Sequence, residues 1–170
     1  MTCIVYRDGA LAADARVLDL WTPCGDVPKI GKRTGPGGTL LFGAAGESSY
    51  VQIFLDWVKS EKFDEWLADG GKGPYCDMGR PEKPDKETNG YVILPDGSCL
   101  RFESGAPAYV MRAPFYAFGS GTWSALGALH MGATAAQAVG IAAKCDIGTG
   151  PLASVLYADD REDWHAPKPL

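Results

Sequence analysis

The chain opens with two short strand-forming runs on either side of Asp8-Gly9, and this pair constrains the fold more than any other local feature. Residues 2–7 and 10–15 both have the length of a β-strand. Asp-Gly is among the commonest connections of a tight two-residue hairpin. We therefore predict an antiparallel hairpin in which Thr2 already belongs to a sheet.

The order of the other elements indicates an α+β domain. The continuous apolar run TLLFGAA at 39–45 is typical of a strand covered on both faces. Apolar residues then recur at helical spacing to about residue 69. Antiparallel strands interrupted by grouped helices favour two facing sheets with the helices outside. The remaining predicted elements are loops at 18–38 and 70–89, strands at 91–95, 99–103, 108–112, 115–119 and 152–158, helices at 120–131 and 134–145, and an exposed tail from about 159.

Length and composition narrow the classes of protein that the chain can belong to. Its 170 residues fit a single domain over 1–170. A net charge of −5 without a basic stripe argues against nucleic acid as a partner. No apolar run is long enough to span a membrane, and Arg7 and Asp8 interrupt any secretory signal. Five widely spaced cysteines without a C-x-x-C pair predict a cytoplasmic protein with reduced thiols, no metal site and no cofactor.

Six short motifs follow one another along the chain. They are TCIVYRDG at the start, AADAR at 12–16, PKIGKR at 28–33, FGAAGES at 42–48, FGSGTWSALGAL at 118–129 and DIGTGP at 146–151. In this order, the chain resembles N-terminal-nucleophile (Ntn) hydrolases of the proteasome β-subunit class. In length it is most similar to HslV-like peptidases, including the small forms encoded by phages and prophages. The resemblance runs from Thr2 to about Leu156, and it implies a four-layer αββα sandwich.

The resemblance makes Thr2 the nucleophile once Met1 is gone. Cells usually trim an initiator methionine that precedes a small residue, and the new terminus carries both a hydroxyl and an α-amine. A threonine hydroxyl is a poor nucleophile that needs an adjacent base, and its own amine can serve. The pKa of an α-amine is about 7.7–8, close to the operating pH that a general base requires.

Two charged residues match the family pattern around this nucleophile. Lys29 corresponds to a lysine whose charge lowers the pKa of the amine, because a nearby cation disfavours the protonated form. Asp14 corresponds to the carboxylate that pairs with this lysine and fixes its position. Taken alone, either residue would be read as an ordinary surface charge or strand-end carboxylate.

Four further residues match supporting positions of the family. Gly43 corresponds to the glycine whose backbone N–H donates to the oxyanion, a contribution of roughly 2.7–4 kcal/mol in the transition state. Ser120, Asp146 and Thr149 correspond to the group that orders the amine and a water molecule. Read alone, these residues would be a helix N-cap and turn formers.

Two functions remain open at this point. The first is a threonine peptidase acting on peptides or unfolded chains within a homo-oligomeric ring, for which the resemblance suggests a double hexamer. The resemblance also implies an ATP-dependent unfoldase as a possible partner, and the chain has no P-loop of its own. The second is a catalytically inactive ring or binding protein, of a kind that a phage could encode, which retains Met1. An Ntn amidase acting on small molecules fits less well, because the motifs are proteasomal.

Overall fold

The computed structural model describes residues 1–78 and 88–167. Its strands, in chain order, are β1 (Ile4–Arg7), β2 (Ala10–Asp14), β3 (Arg16–Asp19), β4 (Thr22–Asp26), β5 (Ile30–Gly35), β6 (Gly38–Ala45), β7 (Asn89–Ile93), β8 (Cys99–Glu103), β9 (Tyr109–Met111), β10 (Phe115–Phe118), β11 (Leu152–Tyr157) and β12 (Trp164–His165). Its helices are α1 (Ser48–Lys59), α2 (Glu61–Ala68), α3 (Thr122–His130) and α4 (Ala135–Cys145).

The strands form two five-stranded sheets and one two-stranded ribbon, all with antiparallel pairing. The first sheet has the order β10-β1-β2-β11-β12, and the second has the order β5-β6-β7-β8-β9. Strands β3 and β4 make the ribbon. The predicted hairpin joins β1 to β2, and Asp8 and Gly9 both have positive φ (50° and 74°), as this type of turn requires. Thr2 itself precedes β1, which begins two residues later than the sequence predicts.

Neighbouring residues of a strand point to opposite faces, and three apolar cores result. The first core packs the first sheet, through residues such as Val5, against α3 and α4. The second contains residues of both sheets, including Ile4 and Leu41. The third packs the other face of the second sheet, through Phe42, against α1 and α2. The fold is therefore mixed α/β, with helices beside each of the two large sheets.

The predicted loop at 18–38 is wrong, because it contains β4, β5 and the end of β3. Every residue of β4 is exposed, and Pro23 and Gly25 lie within it, so the sequence has no apolar alternation there. β5 pairs with β6 over its whole length. Position 31 in β5 requires glycine, because the ring of Phe42 occupies the space that a Cβ would need. Packing, not local propensity, makes this segment a strand.

The described parts of two other predicted segments contain strand residues that the sequence did not predict. The predicted surface loop at 70–89 includes residues 79–87, which lie outside the described residues, and its last residue, Asn89, opens β7. The predicted tail from about 159 is largely exposed. It nevertheless returns to the first sheet, because Trp164 and His165 of β12 pair with β11. None of the described helices has the length and apolar character that crossing a membrane would need.

Candidate active site

Thr2 lies at the end of the first sheet and is almost completely buried, with 2% of its surface exposed. Its backbone N–H donates to Ser120 Oγ at 3.2 Å, and its carbonyl accepts from the Gly121 N–H at 3.3 Å. Its hydroxyl donates to the carbonyl of Met1 at 2.5 Å. The predicted nucleophile is therefore held on both sides by the turn that leads into α3.

The predicted partners Asp14 and Lys29 form a buried ion pair next to Thr2. Lys29 Nζ lies 3.0 Å and 3.2 Å from the two carboxylate oxygens of Asp14. It also donates to the carbonyls of Met1 at 3.2 Å and Arg16 at 2.7 Å. The lysine thus connects the N-terminus, the end of β2 and the start of β3.

Asp14 is held by more than its lysine. Its carboxylate accepts backbone N–H bonds from Cys3 at 2.8 Å, Gly150 at 2.9 Å and Arg16 at 3.1 Å. These donors come from three separate segments of the chain. Burial lowers the pKa of Lys29, and the charge and hydrogen bonds of Asp14 oppose that shift. The carboxylate therefore keeps a buried ammonium in place beside the nucleophile.

The three predicted supporting residues also come together. Asp146 Oδ2 accepts hydrogen bonds from Ser120 Oγ and Thr149 Oγ1, both at 2.6 Å, and Oδ1 accepts the Gly148 N–H at 3.0 Å. Desolvation disfavours the ionised form of Asp146, but these hydrogen bonds outweigh it and lower the pKa of the carboxyl. The ionised carboxylate orients Ser120, which in turn faces the nitrogen of Thr2.

The electrostatic setting of the N-terminus favours an unprotonated amine. The pKa of the Met1 α-amine is lowered first by burial and then by the charge of Lys29, while Asp14 and Asp146 oppose the shift. In this form of the chain the nitrogen of Thr2 is a peptide N–H, which cannot act as a base. Removal of Met1 would turn that same nitrogen into an α-amine beside Ser120 and Lys29.

Gly43, the predicted oxyanion donor, lies against the backbone of Lys29. It occupies the middle of β6, paired with Ile30 and Tyr91, and a Cβ at this position would meet Ile30 and the backbone of Lys29. It lines neither of the two cavities that contain Thr2. The structure places Gly46 on both cavities instead, at the end of the same apolar run.

Gly46 is a second candidate for the backbone donor. Its φ is 143°, which favours glycine, and its N–H donates to no other described residue. The sequence contains both candidates in the short stretch FGAAG. The resemblance assigns the role to Gly43, and the sequence alone does not distinguish the two glycines.

Two cavities meet at Thr2. The Val17 cavity, of about 300 Å³, is walled by β3 and by the turn into α1, with Val17 and Glu47 among its lining residues. The Arg101 cavity, of about 550 Å³, is walled by β7, β8 and the start of α3. Met1, Thr2 and Gly46 line both. An extended chain could therefore cross the nucleophile from one cavity to the other.

Arg16 belongs to the site although no motif singled out its role. Its carbonyl binds Lys29, and its guanidinium donates to the carbonyls of Ile147 and Thr149, both at 3.3 Å. It thereby ties β3 to the loop that carries the supporting group. Within residues 1–78 and 88–167, no cluster of three or more His, Cys, Asp or Glu side chains could hold a metal ion.

Comparison with known proteins gives a structural relative but no relative in sequence. No protein-family model matches the chain, and no curated protein matches it. Among solved structures, Anbu (ancestral beta-subunit) from Yersinia bercovieri matches 99% of this chain and 87% of its own, with a TM-score of 0.64 and 12% sequence identity. At this identity the likeness shows the fold alone, which is proteasome-like.

Proposed function

We propose that the chain is a threonine peptidase, an Ntn hydrolase whose nucleophile is Thr2 after removal of Met1. The observation that carries this proposal is the surroundings of Thr2. Its hydroxyl and Lys29 of the buried Asp14–Lys29 pair both donate to the Met1 carbonyl, and its nitrogen faces Ser120, which Asp146 orients. A cation, a base and a polar relay around one hydroxyl are what an N-terminal nucleophile requires.

The proposed reaction uses the Thr2 amine twice. The amine takes the proton of the hydroxyl, and the hydroxyl oxygen attacks the peptide carbonyl. The amine then returns the proton to the departing nitrogen, leaving an ester on Thr2 that water hydrolyses with the amine again as base. The developing oxyanion would be held by the Gly46 N–H rather than that of Gly43, a donor worth roughly 2.7–4 kcal/mol in the transition state. The fixed charge of Lys29 favours the unprotonated amine.

We further infer the assembly and setting of this peptidase. The three cores are what a four-layer αββα sandwich would produce, with the helices on the outer layers. Trp123 and Met131 at the two ends of α3 are 84% and 88% exposed, which suits contact with like subunits. A homo-oligomeric ring, arranged as a double hexamer, would enclose the site and admit peptides or unfolded chains. An ATP-dependent unfoldase would be the partner in the cytoplasm, as for HslV-like proteins including phage forms.

One observation favours the inactive alternative. The carbonyl of Met1 accepts bonds from both Lys29 Nζ and Thr2 Oγ1. With Met1 retained, the first residue occupies the site and Thr2 has no amine. The protein would then be a proteasome-like ring or binding protein without peptidase activity.

The two functions are separated by one experiment on the protein purified from its natural host. Intact-mass spectrometry reports whether Met1 is present, and a quenched fluorescent peptide library reports hydrolysis. We expect a chain that starts at Thr2, turnover by the wild type and by Thr2→Ser, and none by Thr2→Ala. Retained Met1, or equal turnover by Thr2→Ala, would contradict the proposed mechanism.

A further inference from the structure

The Arg101 cavity differs from the Val17 cavity in its relation to the nitrogen of Thr2. Ser120, which accepts the N–H of that nitrogen, lines the Arg101 cavity and does not line the Val17 cavity. The nitrogen of Thr2 is therefore reached from the Arg101 side. If the proposed function holds, this difference sets the direction in which a substrate binds.

In the proposed reaction, the Thr2 amine transfers a proton to the departing nitrogen of the substrate. That transfer needs the departing nitrogen within hydrogen-bond reach of the Thr2 amine, or within reach through one water. Because the amine faces Ser120, the departing half of the peptide must extend into the Arg101 cavity. The half that stays bound to Thr2 as an ester then extends into the Val17 cavity.

The wall of the Arg101 cavity contains an unsatisfied polar atom. Among the described residues, Asn89 Oδ1 is buried without a hydrogen-bond partner, and Asn89 lines this cavity. Arg101 Nε is buried too, but it forms an ion pair with Glu103 Oε1 at 2.8 Å. Buried polar atoms are nearly always paired in native proteins. The unpaired amide oxygen beside the nucleophile indicates a wall that a polar ligand completes.

Arg101 presents a cation to this wall in a fixed orientation. Its guanidinium lies 5.9 Å from the ring centroids of both Tyr91 and Tyr109, and Nε lies 2.8 Å from Glu103 Oε1. The side chain nevertheless remains 32% exposed. Glu103 does not line the cavity, and neither does any other Asp or Glu among the described residues. A guanidinium so placed suits a carboxylate, which it can bind through two parallel N–H bonds.

We propose that the Arg101 cavity binds the departing half of the substrate and selects a carboxylate there. The carboxylate is either an acidic side chain close to the cleaved bond or the C-terminus of a short departing fragment. Arg101 is the specificity-determining residue, and Tyr91 and Tyr109 hold its guanidinium.

The test measures binding rather than turnover, so that it is independent of the proposed function. Thr2→Ala protein is titrated calorimetrically with four tripeptides that mimic departing fragments: Glu-Ala-Ala amide, Gln-Ala-Ala amide, Ala-Ala-Ala amide and Ala-Ala-Ala with a free carboxylate. The first two peptides differ only in whether the side chain is acidic, and the last two differ only in whether the C-terminal carboxylate is free. The same titrations are made with Arg101→Gln and Arg101→Lys in the Thr2→Ala background. Arg33→Gln is the matched control, because Arg33 also pairs with a carboxylate but lines neither cavity.

We expect a carboxylate-bearing peptide to bind about tenfold more tightly than its neutral counterpart, as a charge-assisted hydrogen bond implies. Arg101→Gln should abolish this preference, and Arg33→Gln should leave it unchanged. If Arg101→Gln fails to fold, Arg101→Lys decides, with a preference reduced by about threefold or more because lysine lacks the bidentate geometry. Equal binding of charged and neutral peptides, or a preference unaffected at Arg101, would overturn the proposal whether or not the protein hydrolyses peptides.

Discussion

Removing the carboxylate of Asp14 should destabilise the protein more than removing its lysine partner does. In Asp14→Ala, the ammonium of Lys29 stays buried with only backbone carbonyls around it, and three backbone N–H groups lose their acceptor. Breaking a buried ion pair from one side costs about 3–5 kcal/mol of unfolding free energy. We therefore expect Asp14→Ala to lose at least that much.

Lys29→Met leaves the buried carboxylate of Asp14 without its lysine. The carboxylate of Asp14 keeps its bonds from the N–H groups of Cys3, Arg16 and Gly150, so its charge is still solvated by the protein. We expect a loss of about 1.5–3 kcal/mol, the value of a hydrogen bond to a charged group. In the double variant no buried charge remains unpaired. The double variant should therefore lose less unfolding free energy than the two single variants together, by about 0.5–3 kcal/mol.

Urea unfolding followed by tryptophan fluorescence measures these differences, at one protein concentration because assembly would couple to folding. Lys32→Met is the control. Lys32 pairs with Asp163 at 2.6 Å but both side chains are about one-quarter exposed, so the loss should be about 0–1 kcal/mol. An Asp14→Ala protein within about 1 kcal/mol of wild type, or strictly additive single losses, would refute the central role of this carboxylate.

Three further predictions concern the nucleophile and the turn that holds it. With rising pH, kcat/KM should increase as the Thr2 amine loses its proton and decrease as Lys29 loses its proton. Lys29→Met should move the acidic limb of this profile to higher pH, because removing a cation raises the pKa of the amine. A limb that does not move would show that another group is the base. Ser120→Ala should lower kcat by roughly 10–100-fold with little change in KM, because only the orientation of the amine is lost, and steady-state kinetics on one peptide measures the split. Gly119→Ala should lower the thermal midpoint more than Gly127→Ala. Gly119 has φ of 92° and a Cβ there would collide with the Thr2 carbonyl oxygen, whereas Gly127 has open space around it. Calorimetry compares the two variants, and equal midpoints would contradict the tight packing.

Much of the fold could be predicted because its signals are local. The Asp8-Gly9 turn, the apolar run of β6 and the spacing of apolar residues in α1 are all readable from a few adjacent letters. The ribbon of β3 and β4 could not be found in this way. Its strands pair with each other, β3 is only partly buried and β4 is exposed, and β4 contains proline and glycine.

The candidate site, too, could be predicted only in part from the sequence. Thr2, Asp14 and Lys29 come together as the resemblance predicts, because Thr2 lies just before β1, Asp14 ends β2 and Lys29 lies just before β5. The oxyanion donor was assigned to Gly43 by the resemblance alone, whereas Gly46 lies on the cavities. Arg101 belongs to no motif, and only the pairing of β7 with β8 brings it beside the nucleophile.

The central claim is that a free amine on Thr2 makes this site a peptidase, and one matched pair of proteins tests it directly. One member is released from a removable N-terminal fusion so that Thr2 is the first residue, and the other is the same chain with Met1 in place, both verified by intact mass. Peptide hydrolysis should be present in the first protein and absent from the second. Equal hydrolysis by both, or none by the protein that begins at Thr2, would contradict the proposed chemistry.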